Sequence, residues 1–168
     1  MKNLIIIPTY NEVENLELLV RKIHGFDSDS SILIIEDNSP DGTGDVADRL
    51  KETLPQLEVI HRSGKLGLGT AHVLGLNYAR DHGYDTALTM DCDFTHKPED
   101  IPRLKKALET GSFDIVVGSR FIHQNGVATW PWLRRLITYT SHTATTVLLG
   151  LKMDATNSFS LFRVDRIP

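Results

Sequence analysis

A chain of 168 residues is one domain's worth of polypeptide, long enough to bury a core of its own. Its 40% hydrophobic and 24% charged content matches an ordinary globular domain and excludes a disordered or fibrous one. A net charge of −4 lacks the basic field that general nucleic-acid binding needs, and the single cysteine, Cys92, rules out an internal disulfide and fits a reducing compartment.

The first apolar run, Leu4–Ile7, is too short for a signal peptide, and no stretch approaches the roughly 20 apolar residues of a membrane-spanning helix, so a cytoplasmic location is expected. This run reads as a strand and ends in Pro8-Thr9-Tyr10-Asn11-Glu12. A dinucleotide-binding fold would carry Gly-x-Gly-x-x-Gly at this turn, and its absence argues against NAD or FAD. Thr9 and Glu12 have the spacing of a capping box, which stands beside a ligand-contacting role. Tyr10 has no capping duty and suits stacking on a base. The helix Asn15–Ile23 follows, with Leu16, Leu19, Val20 and Ile23 on one stripe.

A second strand, Ile32–Ile35, ends in Glu36-Asp37. Asp37 stands where an acid can accept hydrogen bonds from a ribose or base. Asn38-Ser39-Pro40-Asp41-Gly42-Thr43 reads as a turn and cap before the helix Asp45–Leu54. The third strand, Leu57–Ile60, leads into Arg62-Ser63-Gly64-Lys65-Leu66-Gly67-Leu68-Gly69 and the helix Leu68–Arg80. Glycines and Lys65 suggest a phosphate cradle, yet the Walker pattern is not met, and a simple packing turn is the other reading.

The fourth strand, Ala87–Met90, delivers Asp91-Cys92-Asp93-Phe94-Thr95-His96. Two carboxylates one residue apart at a strand's carboxyl end can share Mg²⁺ or Mn²⁺, hard cations that fill their remaining positions with water and substrate phosphates. Solvated or helix-capping acids are the plainer alternative. Pro98-Glu99-Asp100 opens the helix Ile101–Leu108. The fifth strand, Ile115–Val117, ends in Gly118-Ser119-Arg120, and an Arg aimed at the same edge can pair with a diphosphate, although loop arginines are commonly just solvated. A polar loop to Pro131, a helix Trp132–Leu149 and a final strand Phe159–Phe162 complete the chain.

The five runs lie roughly 28 residues apart, the length of a strand, a helix and two loops, and they are apolar without alternation, as in parallel strands buried on both faces. The expected fold is therefore α/β, an open, mostly parallel sheet sandwiched by helices in a Rossmann-like manner, with 1–168 a single domain. Ligands of such sheets bind beyond the carboxyl ends of the strands, where the polar clusters after strands one, two, four and five fall.

Taken in order, these motifs resemble family 2 glycosyltransferases of the GT-A fold, most of all polyprenyl-phosphate (dolichol-phosphate) mannose synthases. The resemblance runs through Pro8–Glu12, Glu36–Thr43, Lys65–Ala71, Met90–Glu99, Gly118–Arg120 and Asp154–Thr156, nearly the whole chain. It implies an inverting, metal-dependent transfer of mannose from GDP-mannose to a polyprenyl monophosphate. Pro8, Tyr10, Glu12, Ile35 and Asp37 would hold the nucleoside, with Lys65 beside them. Asp91 and Asp93 would hold Mg²⁺ or Mn²⁺ on the donor diphosphate, Cys92 would add backbone contact, and Thr95 takes a position that often supplies a third metal ligand. Asp93 and Arg120 would carry the catalytic stabilisation of the leaving group. The family continues beyond this length, so the domain is expected to lack its closing segment. Asn157 and Ser160 stand where the family often carries Gly and Arg.

Trp130, Trp132, Arg134 and Arg135 precede Leu136, Ile137 and Val147–Leu149, an aromatic and basic flank that suits peripheral contact with the cytoplasmic face of a membrane; packing on the sheet is the other reading. Three alternatives remain: a relative using another nucleotide sugar of the UDP-glucose type, a non-catalytic nucleotide-sugar binder, and a receiver-like or flavodoxin-like module.

Overall fold

The computed structural model describes residues 1–119, 131–150, 153–154 and 157–167. Six strands form one sheet: β1 (Asn3–Thr9), β2 (Ser31–Glu36), β3 (Leu57–His61), β4 (Thr86–Thr89), β5 (Ile115–Val117) and β6 (Ser160–Arg163). Their order is β3-β2-β1-β4-β6-β5. The first four are mutually parallel, with β1 flanked by β2 and β4. The helices α1 (Leu16–Phe26), α2 (Thr43–Thr53), α3 (Leu68–Asp81) and α4 (Ile101–Thr110) make the crossovers, and a 3-10 turn at Pro98–Asp100 introduces α4.

One feature departs from a plain run of parallel strands. β6 enters between β4 and β5 and lies antiparallel to both. Residues 157–160 are thereby brought against the end of β4.

The period-2 direction of side chains on β1 divides the core. Ile5 and Ile7 pack with Leu16, Leu19, Val20 and Ile23 of α1 and with residues of α2 and α4. Leu4 and Ile6 point the other way, to Ala71 and Ala79 of α3. Each of these strand side chains is almost wholly buried, worth about 1.5–3 kcal/mol apiece. α3 approaches β1 so closely that a Cβ on Gly75 would lie 2.5 Å from Ile6 Cγ2, so glycine is needed there.

Pro8 sits in a central strand without breaking it. The Asp37 amide donates to the Thr9 carbonyl, so Thr9 faces β2 and Pro8's missing N–H faces β4. β4 ends at Thr89, opposite Ile6, so no ladder bond is lost. At Pro8 and Thr9 β1 pairs only with β2, and the chain leaves the sheet after Thr9.

The fifth helix, α5 (Trp132–Leu149), differs from the rest. Trp132, Leu133, Leu136, Ile137, Val147 and Leu148 are all exposed, so these side chains do not pack on the sheet. No helix among the described residues is long and apolar enough to cross a membrane. Trp130 lies outside the described residues, as do the side chains of Arg134 and Arg135.

Candidate functional site

Three parallel strands end side by side, and each is followed by a residue in the left-handed region: Asn11 (φ 60°) after β1, Asn38 (φ 55°) after β2 and Phe94 (φ 60°) after β4. Asn accepts this conformation readily, whereas a bulky aromatic does not. Strain at Phe94, between Asp93 and Thr95, marks the β4 turn as shaped for something other than stability.

The loops after β1 and β2 are sewn together. The Asn11 amide donates to Ser39 Oγ (3.1 Å), the Glu12 amide to Thr43 Oγ1 (2.8 Å) and the Val13 amide to Asp41 Oδ2 (3.2 Å). Asp41 Oδ1 in turn accepts from the Thr43 amide (3.0 Å) and hydroxyl (2.6 Å). The expected turn and cap over Ser39–Thr43 is present, and α2 starts at Thr43, two residues earlier than the apolar stripe suggested. The capping box at Thr9 and Glu12 does not form. α1 begins at Leu16 with Asn15 as its cap, Glu12 Oε2 accepts from Asn15 Nδ2 (2.9 Å), and Thr9 Oγ1 is buried with no partner among the described residues.

Glu36 accepts from the Asn38 amide (2.9 Å) and the Ser39 amide (2.6 Å) and contacts His61 Nδ1 (3.3 Å). Burial pushes its carboxyl up, but these hydrogen bonds outweigh burial and hold it below the usual range. Asp37 is held by Arg62, whose Nε and Nη2 donate to the two carboxylate oxygens at 2.5 and 2.6 Å. Both side chains are buried, 9% and 7% exposed. Arg62 also donates to Thr70 Oγ1 and to the Gly67 carbonyl, tying the loop before α3 to the end of β2. Lys65, on that loop, places its ammonium 4.2 Å from the centre of the Tyr10 ring, a cation–π contact between two residues expected near the nucleoside. Ile35 is fully buried, so its side chain belongs to the core and only its backbone reaches the edge.

The β4 turn is built differently. Asp93 Oδ1 accepts from the Thr95 amide (3.0 Å) and the Thr95 hydroxyl (2.6 Å). Asp91 Oδ2 accepts from the Ser158 hydroxyl (2.6 Å). Among the described residues, the second oxygen of each carboxylate accepts no hydrogen bond, and Asp93 is exposed. Thr95 has its hydroxyl proton committed to Asp93, so it steadies that carboxylate directly. Cys92 points away into the core, where burial pushes its thiol up, which leaves only its backbone at the edge.

His96 is a buried connector. Its Nδ1 accepts the Asp91 amide (3.0 Å), so a neutral ring carries its proton on Nε2, which donates to Asn157 Oδ1 (2.9 Å). Asn157 Nδ2 donates onward to the Gly118 carbonyl. His72, on α3 one turn before Gly75, has a buried Nε2 with no partner among the described residues. Burial holds its imidazole below the ordinary value, opposed by the nearby Asp91 charge. Arg120, Ala155 and Thr156 lie outside the described residues, so the expectation for Arg120 has no geometry here.

Four residues escaped the sequence reading. Arg62 had a usable signal, since the register Glu36↔His61 continues to Asp37 beside Arg62 once β2 and β3 are neighbours. Ser158 had none, and Asn157 stood out only as a departure from the family pattern, because only the antiparallel insertion of β6 brings them to β4. His72 was a lone helical histidine, without a local pattern to distinguish it.

The donor set suits a hard cation. No group of three or more His, Cys, Asp or Glu among the described residues forms a cage for a metal, and the two carboxylates instead offer one untied oxygen each. That is the arrangement Mg²⁺ or Mn²⁺ uses when substrate phosphates and water complete its shell.

Comparison with known proteins decides the family. Residues 4–167 match the model of Glycosyl transferase family 2. The chain belongs to that family. Undecaprenyl-phosphate mannosyltransferase of Micrococcus luteus is 38% identical over 168 residues, 99% of this chain and 68% of the relative. Polyprenol monophosphomannose synthase of Mycolicibacterium smegmatis is 40% identical over 164 residues, 96% of this chain and 62% of the relative. This family 2 chain therefore spans about two thirds of the length of these two relatives. Among solved structures, the mannosyltransferase PcManGT from Pyrobaculum calidifontis, in complex with GDP-Man and Mn²⁺, superposes with a TM-score of 0.59 at 23% identity, over 75% of this chain and 38% of that one. The fold is the GT-A fold of nucleotide-sugar transferases, as the strand and motif order implied.

Proposed function

We propose that the chain carries the donor site of an inverting, metal-dependent glycosyltransferase that moves mannose from GDP-mannose to a polyprenyl monophosphate. The observation that carries this reading is the pair Asp91 and Asp93, each with one oxygen held by a hydroxyl and the other untied among the described residues, at the carboxyl edge of a GT-A sheet. The relatives' names support the sugar and the acceptor class.

Asp91 and Asp93 would hold Mg²⁺ or Mn²⁺, and a bound divalent cation supplies neutralisation of the nucleoside diphosphate as it departs. The rest is assigned to the chain's own residues. Tyr10, fixed on one side by Lys65, would offer its ring to the base, and Pro8 and Glu12 would line the same wall. Asp37, aimed by Arg62, would accept from the nucleoside. Arg120 would contact the diphosphate. A monophosphate acceptor is anionic at neutral pH, so direct displacement needs no strong general base, and His96 is committed to structure. No side chain stands out as the nucleophile of a covalent sugar intermediate, so inversion is the expected outcome. The exposed apolar residues of α5, from Trp132 to Leu148, would rest at the cytoplasmic face of the membrane that holds the lipid acceptor.

Calorimetry with GDP, GDP-mannose and UDP-glucose, each with and without Mn²⁺, tests the reading. GDP and GDP-mannose are expected to bind, with affinity raised by Mn²⁺, and Asp93→Ala is expected to abolish the raise. Binding of only the uridine nucleotide would replace GDP-mannose by a UDP-sugar donor. Unchanged metal dependence in Asp93→Ala would remove the cation from its assigned ligand. Binding without turnover in the presence of a polyprenyl phosphate would leave a non-catalytic binder.

A further inference from the structure

The antiparallel strand β6 reaches the β4 turn by register. Thr89 pairs with Ser160, and continuing that pairing by two residues sets Ser158 directly opposite Asp91. The Ser158 hydroxyl donates to Asp91 Oδ2 at 2.6 Å, the short distance of a hydrogen bond to a charged acceptor. The Ser158 carbonyl accepts from Thr89 Oγ1, so the segment carrying that hydroxyl is itself fastened to β4. Next to it, Asn157 is almost fully buried and has both ends of its amide in use: Oδ1 accepts from His96 Nε2 and from the Phe159 amide, and Nδ2 donates to the Gly118 carbonyl. His96 closes the circuit by accepting the Asp91 amide and stacking on Phe159 at 4.9 Å between ring centres. A Cβ on Gly118 would lie 2.5 Å from Phe159 Cδ1, so the end of β5 is pressed onto the same ring.

We propose that Ser158, Asn157 and His96 act as positioning residues, a clamp that fixes the orientation of the Asp91 carboxylate toward the donor site and ties it to Gly118. The inference rests on Asp91 being a cation ligand. The physical reason is that a carboxylate on a single rotatable bond presents its two oxygens interchangeably. A hydroxyl bonded to one oxygen would hold the carboxylate plane and leave the other oxygen for the cation, and losing partners of this kind typically costs about 10–100-fold in metal affinity. Asn157 supplies an amide able to join three strands at once, β4 through His96, β5 through Gly118 and β6 through its own backbone. Orientation of the Asp91 carboxylate and the position of Gly118 are thus set by one network.

The test uses Mn²⁺ itself as probe, with free Mn²⁺ followed by electron paramagnetic resonance during titration of the chain in the presence of GDP, beside calorimetry of GDP without metal and thermal unfolding. Ser158→Ala is expected to weaken Mn²⁺ binding about tenfold or more while metal-free GDP affinity and Tm stay at wild-type values. Ser158→Thr, which restores a hydroxyl, is expected to recover Mn²⁺ binding. His96→Phe, which keeps the ring stack and removes both hydrogen bonds, is expected to weaken Mn²⁺ binding in the same direction. Wild-type Mn²⁺ affinity in Ser158→Ala overturns the clamp, as does an equal loss of metal-free GDP affinity, which would mark general damage. Failure of Ser158→Thr to recover overturns it too. A wild-type chain with no Mn²⁺-dependent gain in GDP affinity instead overturns the donor-site reading, and the clamp with it.

Discussion

The β1–β2 side of the rim and the β4 turn are both clusters of acids at the same sheet edge, yet they are built to opposite rules. On the first side nearly every acceptor is consumed. Glu36 serves two amides and a histidine, Asp41 serves two amides and a hydroxyl, and Asp37 is doubly bonded by a buried Arg62. On the second, Asp91 and Asp93 each keep one oxygen without a protein partner among the described residues, next to a strained Phe94. A wall that positions a ligand benefits from satisfied, mutually locked groups, whereas a centre that grips a cation must keep acceptors in hand. Similar composition therefore gives a fully bonded cluster in one place and open acceptors in the other, and the difference lies in where the hydrogen-bond donors are.

The sharpest way to break the comparison is Arg62→Ala. Removing one partner leaves Asp37 buried and uncompensated, so stability is expected to fall by about 3–5 kcal/mol in urea unfolding, with Asp37→Ala, Arg62→Ala together less damaging than Arg62→Ala alone. A loss under about 1 kcal/mol would mean that the first wall is not locked by this pair. Next in size is Thr43→Val, which removes the hydroxyl that accepts from Glu12 and donates to Asp41. The expected cost is about 1–3 kcal/mol, again from urea unfolding, and the metal-dependent part of GDP affinity should be untouched because the two sides of the rim are separately held.

The smallest effect is a pH slope at the end of β3. His61 bridges Asp48 (3.0 Å) and Glu36 (3.3 Å), and its imidazole is raised above the ordinary value of 6.5, first by the hydrogen bond to Asp48, against burial, and then by Glu36. A raised value in the folded state means the charged form stabilises the fold. That contribution is complete below the unfolded value and fades as pH rises through the folded one. Tm of the wild type should therefore decline relative to His61→Gln as pH climbs above about 6.5, by a modest amount because the side chain is 46% exposed. Parallel Tm profiles for the two proteins would remove His61 from the network. Glu36 works in the opposite sense, since its depressed carboxyl contributes above its ordinary value of 4.5 and is lost on acidification through the lower folded value.

Much of the fold was legible before any coordinates. All five parallel-type runs appear as strands within a residue or two, because an uninterrupted β-branched stretch between helical stripes has few other places to go. The acids of the β4 turn and Asp37 were equally visible, since position after a buried strand is itself a signal. Contacts across the chain were not visible. Asp37 looked like a free acceptor until β3 brought Arg62 beside it, Thr9 and Glu12 had capping-box spacing but the helix began further on, and the helix at Trp132–Leu149 displays its apolar residues to the outside.

From residues alone came the alternation of strands and helices, the edge where chemistry gathers, and the carboxylate pair that suits a hard cation. These follow from local rules, periodicity, turn chemistry and ligand preference, each confined to a few neighbouring positions. Tertiary structure alone decided that β6 would run antiparallel between β4 and β5, which brings Ser158 and Asn157 to the β4 turn across more than sixty residues of chain, with a sequence separation of 67 between Ser158 and Asp91. Strand order and direction are settled by how all the layers pack at once, and no short window of sequence contains that information.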